Sequence, residues 1–523
     1  MDRQLLISSL IEYAARNHRS TDVVARASDG SVVRSNWGEV GERSRRLAAA
    51  LRDIGVGEGD RVATIAWNDH RHLEAYYGIT GIGAVLHTVN PRLHDEQIAY
   101  ILNHAADTVV FVDPDFASVA ARLAPHCPLV KQWITLDHHY EQFLSANPLD
   151  EWPLLDEWSA ATLCYTSGTT GNPKGVLQSH RAVVLQTWGT CSTDGHNVNS
   201  GESVLLAVPM FHVNGWAIPF ASAMCGAKLV LPGSDLSPEA LVDWINSESI
   251  TLSAGVPTIW LSVVQHLART GLDIPTLRRI AVGGSAAPRS LMDTLEDDYG
   301  VFVAHVWGMT EMTQGSSGRF TNRVERLPRD EQRRRQAMAG REIYGVELRV
   351  VDDEGHDLAR GGPTPGELLA RGPWVAGGYF GIETPDSHTE DGWLRTGDVA
   401  TLDDEGYITI VDRAKDVIKS GGEWISSIDL ENAALGCPGV LQAAVIGLPH
   451  ERWGERPLLL CVTDGPVDAS IVLDHVVAAV PKWWLPNDVV FVEDIPLTGT
   501  GKIDKKLLRA RHAGHQWTDA GSA

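Results

Sequence analysis

A regular alternation of strand-like and helix-like segments is the feature that most constrains the fold of this chain. Short apolar runs that favour β-strands begin near Ser203, Lys228, Thr251, Arg278 and Phe302, and an amphipathic helical pattern follows each of the first four. A strand roughly every 25 residues, separated by helices, is typical of right-handed βαβ units. We therefore expect an α/β fold whose large N-terminal part contains doubly wound, mostly parallel sheets.

The first 150 residues show the same alternation with recognisable helix boundaries. Asn36 precedes Trp37, and Glu39 follows three residues later, which predicts an N-cap with a capping-box acid. Apolar residues continue at helical spacing up to Gly55, and residues 61–65 (RVATI) then form a strand-like run. We expect a helix that ends at Gly55 and a strand after it.

The pattern changes after about residue 345, where strand-like runs become short and turn residues separate them. These runs cover residues 347–351, 366–370 and 407–411 and predict a small β-barrel-like subdomain or an antiparallel sheet. Beyond Arg413 the chain mixes helical runs (428–435, 471–480) with strand-like runs (442–447, 458–462, 489–492). We predict an N-terminal domain at 1–411 and a small α+β C-terminal domain at 412–523.

Charge and cysteine usage exclude several classes of partner. Lys and Arg number 44 against 67 Asp and Glu, so the net charge is −23, and no long basic stripe offsets it. This balance argues against nucleic acid and against anionic membranes as partners. The 6 cysteines are scattered without a CxxC pair, which predicts reduced thiols in a cytoplasmic protein.

Two segments need to be checked for targeting or membrane insertion. Residues 1–20 carry acids and lack a small-residue cleavage site, so an amphipathic helix is predicted there instead of a signal peptide. Residues 203–227 contain no charge, but they contain Pro209, His212, Asn214 and Pro219. A buried strand, loop and helix suit that composition better than one spanning helix, and we predict no transmembrane segment.

A loop rich in glycine and hydroxyl groups is the strongest local motif. Residues 161–165 form a β-type run, and the chain then reads TSGTTGNPKG through residue 175. Backbone N–H groups and hydroxyls in such a loop can approach phosphate oxygens, and its lysine supplies positive charge. The spacing is not that of a Walker A loop. The candidate phosphate contacts are Thr166, Ser167, Gly168, Thr169, Thr170, Gly171 and Lys174; the alternative is a flexible polar surface loop.

Further motifs follow this loop in a fixed order. They are GMTE at 308–311, WLRTGD at 393–398, DRAKD at 412–416, KSGGE at 419–423 and GTGKI at 499–503. With the phosphate-type loop, this set resembles the adenylate-forming superfamily of acyl-CoA synthetases, luciferases and adenylation domains. Residues 211–216 and 420–432 look most like the fatty-acid–CoA ligase branch.

The resemblance implies a two-step reaction that uses ATP, Mg²⁺ and coenzyme A. A small-molecule carboxylic acid, expected to be a fatty or related medium- to long-chain acid, first reacts with ATP to give an acyl-adenylate and pyrophosphate. The acyl group then passes to the CoA thiol. Glu311 is implied to ligate Mg²⁺, and Thr310 to contact the α-phosphate. Asp398 is implied to accept hydrogen bonds from the ribose hydroxyls, with Arg413 as a cationic donor on the other side of the ribose.

The adenine site is implied to lie between two turns that follow strands. Small residues in the first turn would admit the base, although a plain helix-start turn is the alternative. Trp307 occupies the position where relatives carry an adenine-stacking aromatic, usually tyrosine, yet a tryptophan is more often a core residue. The residues implied are Gly283, Gly284, Ser285, Ala286, Trp307, Gly308 and Met309.

Two parts of the C-terminal domain are implied to serve the two steps. Lys502 can reach the carboxylate and the α-phosphate together and offset the charge of the adenylation transition state. The resemblance implies that the domain is mobile and rotates about Lys415, with the hinge at 412–416. Rotation would bring Lys419, Gly421 and Gly422 to the pantetheine channel.

The acyl pocket is the least determined part of the site. The resemblance implies that His212 is a gating residue between this pocket and the pantetheine tunnel, although a core histidine is the alternative. Candidate wall residues are Val213, Trp216, Phe220, Gly283 and Gln314. Relatives usually carry Ser-Pro near Gln314, and this departure leaves a polar or short acid open as an alternative to a plain long-chain one.

Two other functions remain open on the sequence. The adenylate could pass to an amine or a carrier protein, although no carrier-type serine motif or condensation motif is present. The chain could also bind nucleotide without turnover, but Lys174, Glu311, Asp398, Arg413 and Lys502 occur together. The resemblance also implies a homodimer.

Overall fold

A computed structural model of the chain describes residues 3–166, 172–421, 423–499 and 502–517. Up to the domain junction the strands are β1 (Asp22–Arg26), β2 (Val32–Asn36), β3 (Arg61–Ile65), β4 (Val85–Thr88), β5 (Val109–Val112), β6 (Gln132–Thr135), β7 (Ala160–Thr166), β8 (Lys174–Ser179), β9 (Ser203–Leu206), β10 (Lys228–Leu231), β11 (Leu252–Gly255), β12 (Arg279–Val282), β13 (Phe302–His305), β14 (Ser316–Ser317), β15 (Arg341–Glu342), β16 (Glu347–Val351), β17 (Gly366–Arg371), β18 (Leu394–Leu402) and β19 (Ile408–Arg413). The remaining strands are β20 (Ile418–Ser420), β21 (Glu423–Ile425), β22 (Val440–His450), β23 (Gly454–Thr463) and β24 (Asp488–Phe491).

The helices alternate with these strands. They are α1 (Ser8–Asn17), α2 (Trp37–Asp53), α3 (His70–Gly81), α4 (Asp95–Ala105), α5 (Ala117–Leu123), α6 (His138–Phe143), α7 (His180–Cys191), α8 (Ile218–Cys225), α9 (Pro238–Ser247), α10 (Pro257–Thr270), α11 (Arg289–Tyr299), α12 (Arg329–Ala337), α13 (Ser427–Leu435), α14 (Ala469–Val477) and α15 (Lys505–Arg511). Short 3₁₀ segments cover Pro114–Phe116, Ala124–His126, Val213–Ala217, Val324–Arg326, Pro385–Ser387 and Lys482–Trp484.

Two large sheets form the body of the N-terminal part and confirm the predicted α/β class. One has the strand order β13-β12-β11-β9-β10-β1-β2, and the other has the order β6-β5-β3-β4-β7-β8. Pairing is parallel except at two edges, between β1 and β2 and between β7 and β8. Most interior strands are buried along their length, as helix-covered parallel sheets require. The five strands predicted from residue 203 onward correspond to β9–β13.

The predicted N-cap of α2 is also confirmed. The side chain of Asn36 accepts a hydrogen bond from the Glu39 backbone N–H at 3.0 Å and caps α2. Glu39 binds the Asn36 side chain in return, at 3.0 Å. Within the described residues, no helix is long and apolar enough to cross a membrane. The uncharged segment folds as β9, a 3₁₀ turn and α8.

The remaining strands form an antiparallel sheet, a mixed sheet in which β23 and β24 are parallel, and a short antiparallel pair of β14 with β15. β16 to β19 make a four-stranded meander, which is the antiparallel alternative of the prediction for this region. In the C-terminal part, β20 to β24 form a five-stranded sheet, and α13 packs on β22. β19 extends to Arg413, so the last strand of the meander ends inside the 412–416 motif.

Candidate active site

The predicted motifs gather where adjacent parallel strands end. Residues 283–286 follow β12, and residues 307–311 follow β13. β12 and β13 are hydrogen-bonded neighbours in parallel register, so their carboxyl ends meet at one edge of the sheet. In open α/β sheets this edge is where ligands bind.

The phosphate-type loop joins two antiparallel strands. Thr166 ends β7 and Lys174 begins β8, and the two residues face each other in the ladder. Ser167, Gly168, Thr169, Thr170 and Gly171 lie outside the described residues. The strand before the loop confirms the predicted β-type run, and the hairpin places Thr166 and Lys174 at its base.

Glu311 and Lys174 meet through a tyrosine that sequence reasoning did not identify. The Tyr379 hydroxyl donates to Glu311 Oε1 at 2.5 Å, and Lys174 Nζ lies 5.0 Å from the centre of the same ring. Burial, then the neighbouring Glu311 carboxylate, raises the pKa of Tyr379. The phenol therefore stays protonated and acts as a donor to the carboxylate.

The surroundings of Glu311 suit a metal ligand. Its side chain is 6% exposed, and its backbone carbonyl accepts from the Ala376 N–H at 2.7 Å. Proteins commonly hold Mg²⁺ by one or two carboxylates together with substrate phosphates. A buried carboxylate near Lys174 and the base of the phosphate-type loop fits that arrangement.

Asp398, Arg413 and Trp307 form one hydrogen-bonded group. Asp398 and Arg413 are directly paired between β18 and β19, and Arg413 Nε donates to Asp398 Oδ1 at 2.9 Å. The Trp307 indole N–H donates to Asp398 Oδ2 at 2.8 Å. The carboxylate is nearly buried, while Arg413 is 39% exposed. A carboxylate has about four acceptor positions, so Asp398 retains sites for hydroxyl donors.

Two glycines are required by the turns around this group. Gly284 has φ +84°, and a Cβ on Gly308 would lie 1.9 Å from the Thr313 carbonyl oxygen. The Thr313 N–H in turn donates to the Met309 carbonyl at 2.6 Å. Ser285 and Ala286 continue the turn after Gly284. These turns bring Thr310 and Glu311 back toward β7.

Lys502 lies among the charged side chains of Arg413, Asp398 and Glu311. A Cβ on Gly284 would be 3.5 Å from Lys502 Cε, so the lysine stem crosses the first turn. Burial, followed by the charge of Arg413, lowers the pKa of Lys502 to about 8, while Asp398 and Glu311 oppose this shift. The ammonium is therefore protonated at pH 7 and less strongly hydrated than a surface lysine.

His212 is brought beside this lysine. Burial, then the Lys502 charge, lowers the pKa of His212 to about 3, so the imidazole is uncharged at neutral pH. The next five residues, 213–217, have positive φ values between 39° and 62°. The implied gating position is thus followed by a left-handed turn that leads into α8.

Asp412, a buried acid in β19, links this strand to the small domain. Asp412 Oδ2 accepts from the Ser427 N–H at 2.8 Å and also from its hydroxyl. Lys415 lies in the turn after β19, and burial lowers its pKa. Asp416 pairs with Arg509 of α15 at 2.5 Å. The implied hinge is therefore tied to both β19 and the small domain.

Lys419 and Gly421 are hydrogen-bonded to residues of the small domain. Lys419 N–H donates to Glu455 at 3.0 Å, and Gly421 N–H donates to the Trp453 carbonyl at 2.8 Å. These partners belong to the small domain itself. Gly422 lies outside the described residues.

The candidate acyl residues divide between a cavity and its surroundings. Val213, Phe220 and Thr310 line a cavity between β7, β8, α7 and α8. Trp216 packs on the first turn, because a Cβ on Gly283 would lie 3.3 Å from the Trp216 indole. Gln314 is buried, and its amide nitrogen donates to the Ser316 carbonyl at 3.1 Å.

Sequence reasoning missed several residues of the site. They are Arg92, Tyr379 and Gln178, whose side-chain nitrogen donates to the Glu311 carbonyl at 3.4 Å. The Arg92 guanidinium lies 5.3 Å from the Trp67 ring, and its Nη1 lies 3.4 Å from the Gly499 carbonyl oxygen. Their partners are distant in sequence, so a local motif carries no signal for them.

Two family models together match most of the chain. The model of the "AMP-binding enzyme" family matches residues 11–380, and that of the "AMP-binding enzyme C-terminal domain" matches residues 429–502.

Two curated relatives cover nearly the whole chain. A 3-methylmercaptopropionyl-CoA ligase of Ruegeria lacuscaerulensis is 45% identical over 97% of both chains. A medium-chain-fatty-acid–CoA ligase of Ectopseudomonas oleovorans is 44% identical over 98% of this chain and 97% of its own. An anthranilate CoA ligase with anthranoyl-AMP has TM-score 0.87, covers 97% of both chains and is 23% identical, which shows the shared fold.

Proposed function

The chain belongs to the AMP-binding enzyme family, and we propose that it is an AMP-forming acyl-CoA ligase of the fatty-acid branch. It joins a carboxylic acid to ATP as an acyl-adenylate, releases pyrophosphate and transfers the acyl group to the thiol of coenzyme A. The observation that carries this proposal is the meeting of Lys174, Glu311, Asp398, Arg413 and Lys502 at one sheet edge.

In the first half-reaction, the residues at this sheet edge bind two anions, ATP and the carboxylate of the acid. Arg413 and Asp398 hold the ribose, and Lys174 with the loop after Thr166 holds the β- and γ-phosphates. Glu311 would hold Mg²⁺, which when bound neutralises phosphate charge. Lys502 donates hydrogen bonds from its ammonium to the carboxylate and the α-phosphate, where negative charge must be offset during attack.

The ordering of these groups supports that assignment. Trp307 and Arg413 fix both oxygens of Asp398 from opposite sides. Tyr379 fixes one oxygen of Glu311 and places Lys174 over its ring. Preorganised charges of this kind contribute more to catalysis than mobile ones because they need no reorientation as the reaction proceeds.

The second half-reaction requires another face of the small domain. We propose that residues 412–523 form this domain, that it turns about Lys415 and that Lys419, Gly421 and Gly422 then line the pantetheine channel. His212 lies beside Lys502 and would separate the acyl pocket from that channel. The implied homodimer stays a prediction. We place the enzyme in the cytoplasm, where its 6 free cysteines would remain reduced.

The names of two relatives suggest a range of acids to consider. One is named for 3-methylmercaptopropionate and another for medium-chain fatty acids. We propose an acid of this range that enters the cavity lined by Val213, Phe220 and Thr310. Trp216, Gly283 and Gln314 would border its entrance.

Pyrophosphate release over a panel of carboxylic acids, with and without CoA, tests the proposal. We expect release that depends on the acid, with thioester formation only when CoA is present. No release with any acid would refute the ligase activity. Release with no thioester formed would indicate another acceptor, such as an amine or a carrier protein.

A further inference from the structure

His104 lies where the phosphate-type hairpin of β7 and β8 meets the turn that carries Tyr379. It is near the end of α4 and is half-buried. The Tyr165 hydroxyl donates to His104 Nδ1 at 2.7 Å, and the two rings meet edge to face with 5.8 Å between their centroids. Tyr165 lies in β7, directly before Thr166. His104 therefore contacts the hairpin next to the loop that we propose to hold the β- and γ-phosphates.

Burial of the phenol fixes the direction of this hydrogen bond. Tyr165 is 8% exposed. Burial, then the charge of Asp107, raises the pKa of Tyr165, so the hydroxyl keeps its proton and acts as the donor. His104 Nδ1 is then the acceptor, which places the ring proton of the uncharged imidazole on Nε2. A buried hydroxyl that loses its acceptor is costly, so the position of Tyr165 depends on His104.

A second histidine packs against the same phenol ring. His87 in β4 lies 5.1 Å from Tyr165 between ring centroids, and its Nδ1 is 2.7 Å from Asp107 Oδ2. Both side chains of this pair are 0% exposed. The Tyr165 ring is therefore confined by packing, and its hydroxyl is oriented by the hydrogen bond to His104.

His104 also contacts the 379–382 turn. Its ring lies edge-on to the Phe380 ring, with 5.8 Å between their centroids. Gly381 has φ +67°, and an added Cβ there would lie 3.2 Å from His104 Cε1. The Phe380 N–H donates to the Gly175 carbonyl of β8 at 2.8 Å. One imidazole thus contacts both the hairpin and the turn that is hydrogen-bonded to it.

The turn and the hairpin hold the two charges that we assign to the phosphates and the metal. Tyr379 in the turn donates to Glu311, and Lys174 lies over the Tyr379 ring. Lys174 begins β8, the hairpin strand that also contains Gly175. A Cβ on Gly175 would lie 3.0 Å from Tyr165 Cζ, so the phenol packs directly against this strand. Movement of Tyr165 or of the turn would therefore displace these charges.

We infer that His104 is a positioning residue for the phosphates of ATP. It acts through Tyr165 and the 379–382 turn. The inference rests on the proposed ligase function and assigns a support for its first half-reaction. Groups that are already held in place bind a ligand without the entropic cost of ordering them. Loss of His104 should therefore weaken ATP binding more than it slows the chemical step.

Isothermal titration with ATP and Mg²⁺, in the absence of acid, tests the inference. His104→Ala should raise the Kd for ATP by about 3- to 10-fold, the effect of one lost hydrogen bond. In the pyrophosphate assay the KM for ATP should rise by a similar factor, while kcat and the KM for the acid stay within about twofold. A partly unfolded preparation gives the opposite result, a lower kcat with KM unchanged.

Further variants show whether the hydrogen bond carries the effect. His104→Asn keeps an acceptor near the position of Nδ1 and should restore most of the affinity. Tyr165→Phe removes the donor, so His104→Ala should have less effect in that background than alone, because residues in contact are coupled. Asn103→Ala is the matched control, since Asn103 is the neighbouring residue on α4 and donates to the His126 carbonyl at 2.8 Å. It should leave the Kd unchanged.

Failure of this inference and failure of the ligase proposal give different results. An unchanged Kd in His104→Ala, with ATP bound by the unaltered enzyme, would overturn the inference and leave the ligase function intact. A loss in His104→Asn as large as that in His104→Ala, or full additivity with Tyr165→Phe, would also overturn it. Failure of the unaltered enzyme to bind ATP would refute the underlying function.

Discussion

Two lysine-bearing segments of the small domain have different surroundings. Gly499 and Lys502 both reach the large domain, where Arg92 Nη1 approaches the Gly499 carbonyl and the Lys502 stem crosses the turn at Gly284. The segment 419–421 is held by Glu455 and Trp453 of its own domain.

This difference indicates which half-reaction the structure represents. Lys502 already lies among the residues that we propose to bind the nucleotide, so we assign this conformation to adenylation. We propose that the other segment serves the same site only after the domain has turned. The two halves of the reaction should therefore respond to different substitutions.

Lys502→Ala should give the largest difference between the two half-reactions. Removal of a charge that stabilises the transition state costs about 10²- to 10³-fold in rate, so pyrophosphate release should fall by that factor. Thioester formation from supplied acyl-adenylate should stay within a few-fold of the unaltered enzyme. A similar loss in both assays would refute the assigned role.

The pH dependence of adenylation should reflect the loss of the proton from Lys502. Its pKa is lowered to about 8, so the ammonium is present below that pH and lost above it. We expect kcat/KM for adenylation to fall above pH 8 and approach a tenfold loss per pH unit, because this ratio reports the free enzyme. Lys502→Arg keeps its charge at high pH, so its slower reaction should lack this decline.

Gly421→Ala should act on the other half-reaction. Gly421 has φ +62°, and an added Cβ would lie 2.9 Å from the Trp453 ring, so the loop must shift. We expect thioester formation to fall by roughly 10-fold while pyrophosphate release from the first turnover is kept. Gly465→Ala in the same domain, where an added Cβ meets open space, is the control and should change neither rate.

Tyr379→Phe should have the smallest effect and should be confined to adenylation. The change removes the donor to Glu311, so the carboxylate is held less well and the Mg²⁺ concentration that supports half-maximal pyrophosphate release should rise by about 3- to 10-fold. Tyr344→Phe is the control, since Tyr344 is 100% exposed. An unchanged Mg²⁺ requirement in Tyr379→Phe would contradict this role.

The sequence predicted the architecture well because the signals for it are local. Periodicity located β9–β13, and the side chain of Asn36 caps α2 as its position indicated. The antiparallel pairing of β7 with β8 was not predicted, since register depends on which strands meet across the sheet.

The site was predictable only where its residues lie within motifs. Lys502 and Glu311 could be named, but Tyr379 and Arg92 could not, because each acts through a partner far away in the chain. Trp307 was predicted to stack on adenine; the structure adds that its N–H binds Asp398, and the stacking stays a prediction.

A reversible crosslink between the two domains tests the central claim most directly. A Cβ on Gly499 would lie 3.3 Å from Arg92 Cβ, near the usual spacing of about 3.5–4.5 Å in disulfides, so Arg92→Cys with Gly499→Cys should trap the assembled conformation. Arg92→Cys alone, treated with the same oxidant, is the control. We predict that the oxidised double variant releases pyrophosphate in a single burst, forms no acyl-CoA, and regains thioester formation on reduction. Acyl-CoA formation at equal rates in the oxidised and reduced forms would contradict the claim that the domain must turn.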